Sequence, residues 1–421
     1  MLRALQHRNY RLFFSGQSVS LIGTWITRIA TSWLVYRLTG SALLLGIVGC
    51  CGQIPTLVLA PFAGVMVDRW NRHRLLVATQ VLSMLQSLAL AVLTLAGVIT
   101  VTEILVLQVM QGIINSFDTP ARQAFVIEMV EHRTDLPNAI ALNSSMVTGS
   151  RIIGPTIGGV LIAAFGEGWC FMVDAISYIA VIVSLLAMRV TIEHRKSATR
   201  LLDEMRDGVR YVWGFVPART VLLLLALVST MGMPYMVLMP AVASDILHGG
   251  PHTLGFLMTA SGVGALIGAL YLATRASVLG LGRAIAIAAI TFGVGLAAFA
   301  FSHVLWLSLL LLPIVGGGFM VETAATNTIL QTIVEERLRG RVMAFYAMAF
   351  LGTAPIGSLV AGVVADRIGV PWTIFVGGVA CMAAGVWFWL QLPALRAKIR
   401  PIYVERGIIA AGGPEADAEA I

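Results

Sequence analysis

Residues Gly149–Phe171 read "GSRIIGPTIGGVLIAAFGEGWCF", and Gly352–Ile374 read "GTAPIGSLVAGVVADRIGVPWTI". Laid over each other, Gly149 falls on Gly352, Gly154 on Gly357, Gly159 on Gly362, Gly166 on Gly369 and Trp169 on Trp372. Inside a helix a glycine costs about 1 kcal/mol relative to alanine, and a proline about 3 kcal/mol. An apolar helix keeps such residues only where they permit a contact. Their recurrence at one spacing, with a tryptophan beyond the turn, marks an internal duplication. The shared glycines read as a packing device that lets helices approach closely. Arg151 and Pro155 do not recur, because Pro355 aligns with Ile152. They are the asymmetric part of the stretch.

The setting of this repeat is a membrane. Of the 421 residues, 58% are hydrophobic and 12% charged, and the mean hydropathy is +0.88. The apolar residues come in blocks of about 20, the length of a bilayer-crossing helix. The short alternating segments of a transmembrane barrel are absent. The start, "MLRALQHRNYRLFF", is basic and runs into a long span without a small-residue cleavage site, so it reads as an uncleaved first span. Cys50, Cys51, Cys170 and Cys381 have no metal-ligand spacing and read as apolar fillers.

Hydropathy predicts twelve spans, near 14–36, 43–66, 75–97, 103–122, 139–165, 169–189, 219–242, 253–274, 283–301, 304–330, 342–364 and 373–393. The expectation is an all-α membrane protein of two six-helix bundles, 1–190 and 219–395. A cytoplasmic linker at 191–218 joins them, and a tail at 396–421 reads as disordered. Within the linker, Leu201, Leu202, Met205, Val209, Val212 and Trp213 share one face of an amphipathic helix at the membrane surface. Nearly all of the 28 Lys and Arg residues fall in alternate loops, from Arg3, Arg8 and Arg11 at the start to Arg396, Lys398 and Arg400 near the end. Arg37 and Arg367 fall on the other side, and Arg28 and Arg151 lie within spans. The positive-inside rule puts both termini in the cytoplasm. The net charge of +7 therefore reports topology and contact with anionic lipid heads, and nucleic acid is not an expected partner. Six spans followed by six related spans suit a transporter that rocks two bundles about a midplane site.

Two motifs sharpen that expectation. "GVMVDRWNRHRLL", from Gly64, combines Asp68 at a helix end with Arg69, Arg72 and Arg74, and Asn71 is expected in a left-handed turn. It resembles the loop signature of the major facilitator superfamily, Gly-x-x-x-Asp-Arg-x-Gly-Arg-Lys, with Asn71 at the second glycine and His73 at the lysine. The resemblance implies that Asp68, Arg69 and Arg72 latch the cytoplasmic gate against the start of the eleventh span. From Ser150, the opening stretch resembles the antiporter signature of the same superfamily. Ser150 stands at its first glycine, and Gly154, Pro155, Gly158 and Gly159 match. That likeness implies export by antiport, with these residues and Arg151 in gating. "EMVEHRTDLPNAIALNSS" (Glu128–Ser145), "ERLRGRVMAFY" (Glu336–Tyr346) and the N-terminal stretch from His7 are similar to the efflux branch that contains macrolide exporters and the enterobactin exporter. One departure is Gln108, which stands where many drug–proton antiporters of the superfamily carry an arginine.

An ionisable group at membrane depth is a functional candidate by default. Glu322 in the tenth span aligns with Thr119, next to Asp118 in the fourth, so both halves carry an acid at nearly the same depth. A cavity-facing carboxyl there is expected to carry the proton, Glu322 before Asp118. Asp118 also has a structural reading, an ion pair with Arg122 four residues on. Arg28, roughly 20 Å along the first helix, contacts substrate or balances charge. Arg151 is expected to satisfy carbonyls freed by Pro155 or to pair with Asp118. Gln17, Gln53, Gln111, Asn115 and Asn327 are polar cavity candidates, and Asp174 reads as interfacial. Trp25 and Trp33 wall the cavity or join the lipid-facing aromatic belt. No glycine-rich nucleotide loop with lysine and no nucleophile–base constellation occurs, so the expectation is not an enzyme but a secondary transporter. Its partners are a small-molecule substrate, protons and membrane lipids, with no cofactor and no metal, and it is expected as a monomer in the inner (plasma) membrane. Uptake or lipid translocation on the same fold, and a transport-dead scaffold, are the alternatives.

Overall fold

A computed structural model of the protein describes residues 3–130, 132–188, 209–275 and 277–409. Among them every regular element is helical: α1 (Arg8–Thr39), α2 (Ala42–Arg69), α3 (Arg72–Leu95), α4 (Val101–Met129), α5 (Leu136–Phe165), α6 (Glu167–Leu186), α7 (Val216–Gly232), α8 (Tyr235–Ala241), α9 (Pro251–Ala273), α10 (Leu281–Ala300), α11 (Leu305–Ile333), α12 (Glu336–Ala347), α13 (Ala354–Ile368) and α14 (Val370–Glu405). Ten stretches are long and apolar enough to cross a membrane. One, Val216–Ile246, strings together α7, α8 and a π-helical turn, and another, Glu336–Ile368, joins α12 to α13 through a second π-helical turn. Helices α1 and α4 have 32 and 29 residues and are not among those ten. Most of the linker expected at 191–218, up to residue 208, lies outside the described residues, as does the tail from residue 410.

Local chemistry sets the helix ends. The Ser41 hydroxyl accepts from the Leu44 amide and starts α2, and Thr100 with Glu103 forms a capping box at the start of α4. Asn71 is not in the left-handed turn expected of it. Its φ of −68° and ψ of 106° are extended, and its side chain caps α3 by accepting from the Arg74 amide at 3.0 Å. An asparagine relieves an orphan N–H more cheaply as an N-cap than by entering a strained region. The repeat is visible in the backbone. Gly166 breaks α5 from α6 at φ 84°, and its counterpart Gly369 breaks α13 from α14 at φ 87°. Side chains rarely adopt that conformation, which explains glycine at both places.

The chain divides into two compact units, one of residues 1–198 with 239–259, the other of 199–238 with 260–421. The segment 239–259 thus groups with the first unit, although the sequence expectation assigns it to the second bundle. In the first unit α1 packs on α5 and α6, and α3 packs on α4 and α6. Its core includes Tyr10, Phe13, Leu76, Phe125 and Val181, and the Tyr10 hydroxyl donates to the Ala139 carbonyl at 2.7 Å. In the second unit α10 packs on α11 and α14, around buried Phe292, Phe299 and Phe388. Large apolar side chains such as Leu186, Leu310 and Leu390 point outward, as expected where lipid replaces water as the solvent.

The glycines of the repeat do the same work in both units. A Cβ on Gly154 would collide with Trp25 of α1, and one on Gly357 with the Thr230 carbonyl of α7. Gly158 lies against Ile26, where a Cβ would stand 3.3 Å from its Cα. Gly159 lies against Gly255, with 3.0 Å between an added Cβ and the Gly255 Cα. Gly149 is different: an added Cβ there would meet open space.

Candidate functional site

A stripe of polar residues runs down α3. Thr79, Gln80, Ser83, Gln86 and Ser87 are all buried in an otherwise apolar helix. Their spacing returns to one face every three or four residues, so they present a continuous line of donors and acceptors to α4 and α6. Asp118 of α4 meets this line at one end. Its Oδ1 accepts from Thr79 Oγ1 at 2.8 Å and from Gln80 Nε2 at 2.7 Å, and its Oδ2 pairs with Arg122 at 3.0 Å. Gln111 donates to Ser83 at 3.2 Å and to Asn115 at 3.1 Å, while its own Oε1 is buried without a partner among the described residues.

At the other end of the stripe, Asp174 of α6 accepts from Ser87 Oγ at 2.7 Å. It is 1% exposed, so it is a core residue and not the interfacial group that its place near the start of the sixth span implies. Gly23 of α1 makes room for it, since a Cβ there would stand 2.6 Å from Asp174 Oδ1. The stripe and Asp174 are the functional candidates that the sequence reading misses. The signal was available in the helical spacing of the α3 polar residues.

Two arginines in the first unit are treated differently from these acids. Arg28 is exposed, and its guanidinium stacks over the Trp25 ring at 4.6 Å from the centroid. Arg151 is half-buried, and its Nε lacks a partner among the described residues. It does not pair with Asp118, whose two oxygens are taken by Thr79, Gln80 and Arg122. Nor does Pro155 break α5, which is continuous from Leu136 to Phe165.

The remaining candidates of this unit are more conventional. Gln17 is buried, and Gln53, half-buried, donates back to Gly49 of its own helix at 3.3 Å. Arg72 pairs with Glu128 of α4 at 2.6 Å, and Arg69 is exposed at the end of α2. The side chain of Asp68 lies outside the described residues. At the C-terminal end of α1, Arg37 makes a two-point ion pair with Glu167, at 2.7 and 3.2 Å. Tyr36 donates to Asp245, and Thr156 shares a hydrogen bond with Thr259 at 2.7 Å.

In the second unit Glu322 of α11 has no exposed surface. Its Oε1 accepts a long 3.4 Å bond from Thr326, and its Oε2 is without a partner among the described residues. Phe319, on the same helix, packs against Phe292 with the rings tilted and their centroids 5.5 Å apart. The expectation that Glu322 and Asp118 both face an open cavity is therefore not met, since both are enclosed. Asn327 accepts from Gln331 at 2.6 Å one turn along the helix.

The chain matches the family described as transmembrane secretion effector over residues 2–402. It is 27% identical to the staphyloferrin A transporter of Staphylococcus aureus over 393 residues, which is 92% of this chain and 98% of that protein. It is 31% identical to the multidrug efflux pump Tap of Mycolicibacterium fortuitum over 384 residues, 89% of this chain and 93% of the pump. Macrolide efflux protein A of Streptococcus pyogenes is 24% identical over 394 residues, covering 90% and 96%. Among solved structures, a bacterial homologue of the iron transporter ferroportin, in an inward-facing state, superposes with a TM-score of 0.71 at 15% identity. That likeness covers 90% of this chain and 98% of that one, and it is a likeness of fold. With a family match along almost its whole length and transporters as its relatives, the chain belongs to the transmembrane secretion effector family, membrane transporters of the major facilitator type.

Proposed function

We propose that the chain exports a small organic molecule across the plasma membrane by alternating access, driven by proton entry. Relatives named for multidrug and macrolide efflux support the direction. In this reading α1 and α4 cross the membrane beside the ten apolar stretches, which completes twelve spans in two bundles. Both termini face the cytoplasm, as the distribution of Lys and Arg argues. The protein works as a monomer, its two halves rocking about a midplane site.

The observation that carries proton coupling is Glu322. A buried polar atom without a partner costs about 1–3 kcal/mol, and more when charged. Evolution tolerates such a group in a membrane where it has work to do. Glu322 takes a proton from the outer side and releases it to the inner side as the halves exchange access. Asp118, already ion-paired, is the secondary candidate. Arg28 meets an anionic group of the substrate or balances charge, while Gln111 and Asn115 line the path. Asp68, Arg69 and Arg72 latch the cytoplasmic side. Gly154, Pro155, Gly158 and Gly159 let α5 slide against its neighbours.

The test is reconstitution in proteoliposomes with an imposed pH gradient, using ethidium and erythromycin as probes. Gradient-driven flux of either probe with matching proton movement, lost in Glu322→Gln, is the expected result. Probe exchange indifferent to the gradient overturns proton coupling. No flux of either probe favours a transport-dead scaffold.

A further inference from the structure

Glu322 has no exposed surface, so a proton that it carries has to leave through its neighbours. Toward the C-terminal end of α11 those neighbours are polar and progressively more open. Thr323 is buried, Asn327 is half-buried and Gln331 is exposed. Residues four apart on a helix lie one above the other, so the three form a single polar file that starts beside Glu322 and ends at open surface. Its last two members are joined, since Gln331 Nε2 donates to Asn327 Oδ1 at 2.6 Å. In the opposite direction the neighbours are aromatic. Phe319, three residues before Glu322, packs against Phe292 of α10 and, at 6.0 Å between ring centroids, against Phe350. The file is covered from α12. The Tyr346 hydroxyl donates to the Thr323 carbonyl at 3.2 Å, one residue beyond Glu322. In an α-helix that carbonyl points toward the amide of Asn327, and the Asn327 side chain also approaches the Tyr346 hydroxyl. Tyr346 packs in turn against Phe350, 6.1 Å away. Phe350 lies in the π-helical turn Met348–Gly352 that joins α12 to α13, and such turns are rare and recur at functional sites. The two rings thus bracket Glu322 along α11, Phe350 at Phe319 and Tyr346 at Thr323.

We propose that Tyr346 gates the proton of Glu322: the carboxyl is shut off while the Tyr346 hydroxyl holds the Thr323 carbonyl, and it opens toward Asn327 and Gln331 when that bond breaks. Water then enters along the polar file. The Glu322 O–H bond breaks, the proton passes to water as hydronium, and the carboxylate keeps the electron pair. In the orientation proposed above, the Gln331 end of α11 faces the cytoplasm, so this is the release step. The inference rests on the proton-carrier reading of Glu322 and adds its gate and its direction. Tyr346 is a positioning residue, controlling access to Glu322 without taking the proton itself. The long bond from Thr326 has no part in the route.

The test follows proton entry into proteoliposomes of the full-length protein, with trapped pyranine as the pH reporter, an imposed pH gradient and no substrate. Tyr346→Phe keeps the ring, and the Thr323 carbonyl retains its partner within continuous α11. This variant should raise the proton leak about twofold to tenfold over wild type, the usual worth of a neutral hydrogen bond. Phe350→Leu, which removes the ring that backs Tyr346, should raise it in the same way. Glu322→Gln in either background should abolish the rise, whereas a leak through a loosened fold would survive it. Asn327→Leu, apolar and of similar size, should abolish the rise as well. The gate is overturned if Tyr346→Phe leaks no more than wild type, or if its leak persists without Glu322. A leak that persists alongside Asn327→Leu overturns the route. The two readings fail separately. A Glu322-dependent leak in Tyr346→Phe, with wild-type ethidium flux indifferent to the gradient, overturns coupled export alone. Gradient-driven ethidium flux that is lost in Glu322→Gln, with Tyr346→Phe leaking no more than wild type, overturns the gate alone.

Discussion

Asp118 of α4 and Glu322 of α11 occupy nearly equivalent places in the internal repeat, and their surroundings are opposite. Asp118 engages both oxygens, with Thr79, Gln80 and Arg122 at 2.7–3.0 Å. Glu322, more completely buried, has a single 3.4 Å bond to Thr326 and an oxygen with no partner among the described residues. A satisfied buried acid ties helices together, and its removal strands the groups it served. An unsatisfied buried acid weakens the fold as long as it is ionised, so its retention points to chemistry. The first unit therefore binds Asp118 into its architecture, whereas the second leaves Glu322 short of partners, which is why Glu322 is the group proposed above to carry the proton.

The largest expected effect follows from that contrast. Glu322→Gln should reduce pH-gradient-driven flux to the level of empty vesicles and leave the unfolding free energy in detergent unchanged or slightly higher. Asp118→Asn should do the reverse. It leaves Arg122 without its carboxylate and disturbs Thr79 and Gln80, so unfolding should become easier by about 1–3 kcal/mol. Transport per folded molecule should fall no more than severalfold. Denaturant unfolding of the two purified variants, beside proteoliposome flux, reads both quantities. A stability loss in the Glu322 variant with intact flux, or lost coupling in a stable Asp118 variant, would break the assignment.

Where sequence was sufficient and where it failed follows the same physical line. The apolar blocks and the paired breaks at Gly166 and Gly369 are legible because hydropathy and backbone conformation are local properties. The Asp118–Arg122 pair is also local, four residues apart on one helix, and a local partner wins over a distant Arg151 that must be brought in by packing. Asp174 is not legible in this way. Its position along the chain reports depth along α6 but not which face it presents. Burial is decided by Gly23 and Ser87 on other helices. The enclosure of Glu322 is equally a product of packing, since the repeat alignment fixes its depth and leaves its surroundings open.

Two smaller substitutions sharpen the comparison. Ser87→Ala removes a 2.7 Å donor from buried Asp174. It should cost about 1–2 kcal/mol of unfolding free energy, as for a hydrogen bond to a charged or partly charged acceptor, with transport little changed. If Ser87→Ala instead uncouples flux from the gradient, Asp174 belongs with Glu322 as a proton group and the division between the units fails.

Thr326→Val should have the smallest effect. The bond it removes is long, at 3.4 Å, beyond the usual range for O–H···O contacts. Valine keeps the branched shape of threonine, so packing around α11 changes little. Threonine also has the option of bonding back to a carbonyl of its own helix, and valine needs no such partner. The change in unfolding free energy should stay within about 0.5 kcal/mol, and gradient-driven flux should persist. Thr79→Val at the Asp118 site removes a 2.8 Å bond and should cost more, because a firmly held carboxylate loses a real donor. Measured side by side, the two threonines test the argument without touching either acid. Equal losses at both would mean that Glu322 is held as firmly as Asp118, and its unpaired oxygen would no longer argue for a mobile proton.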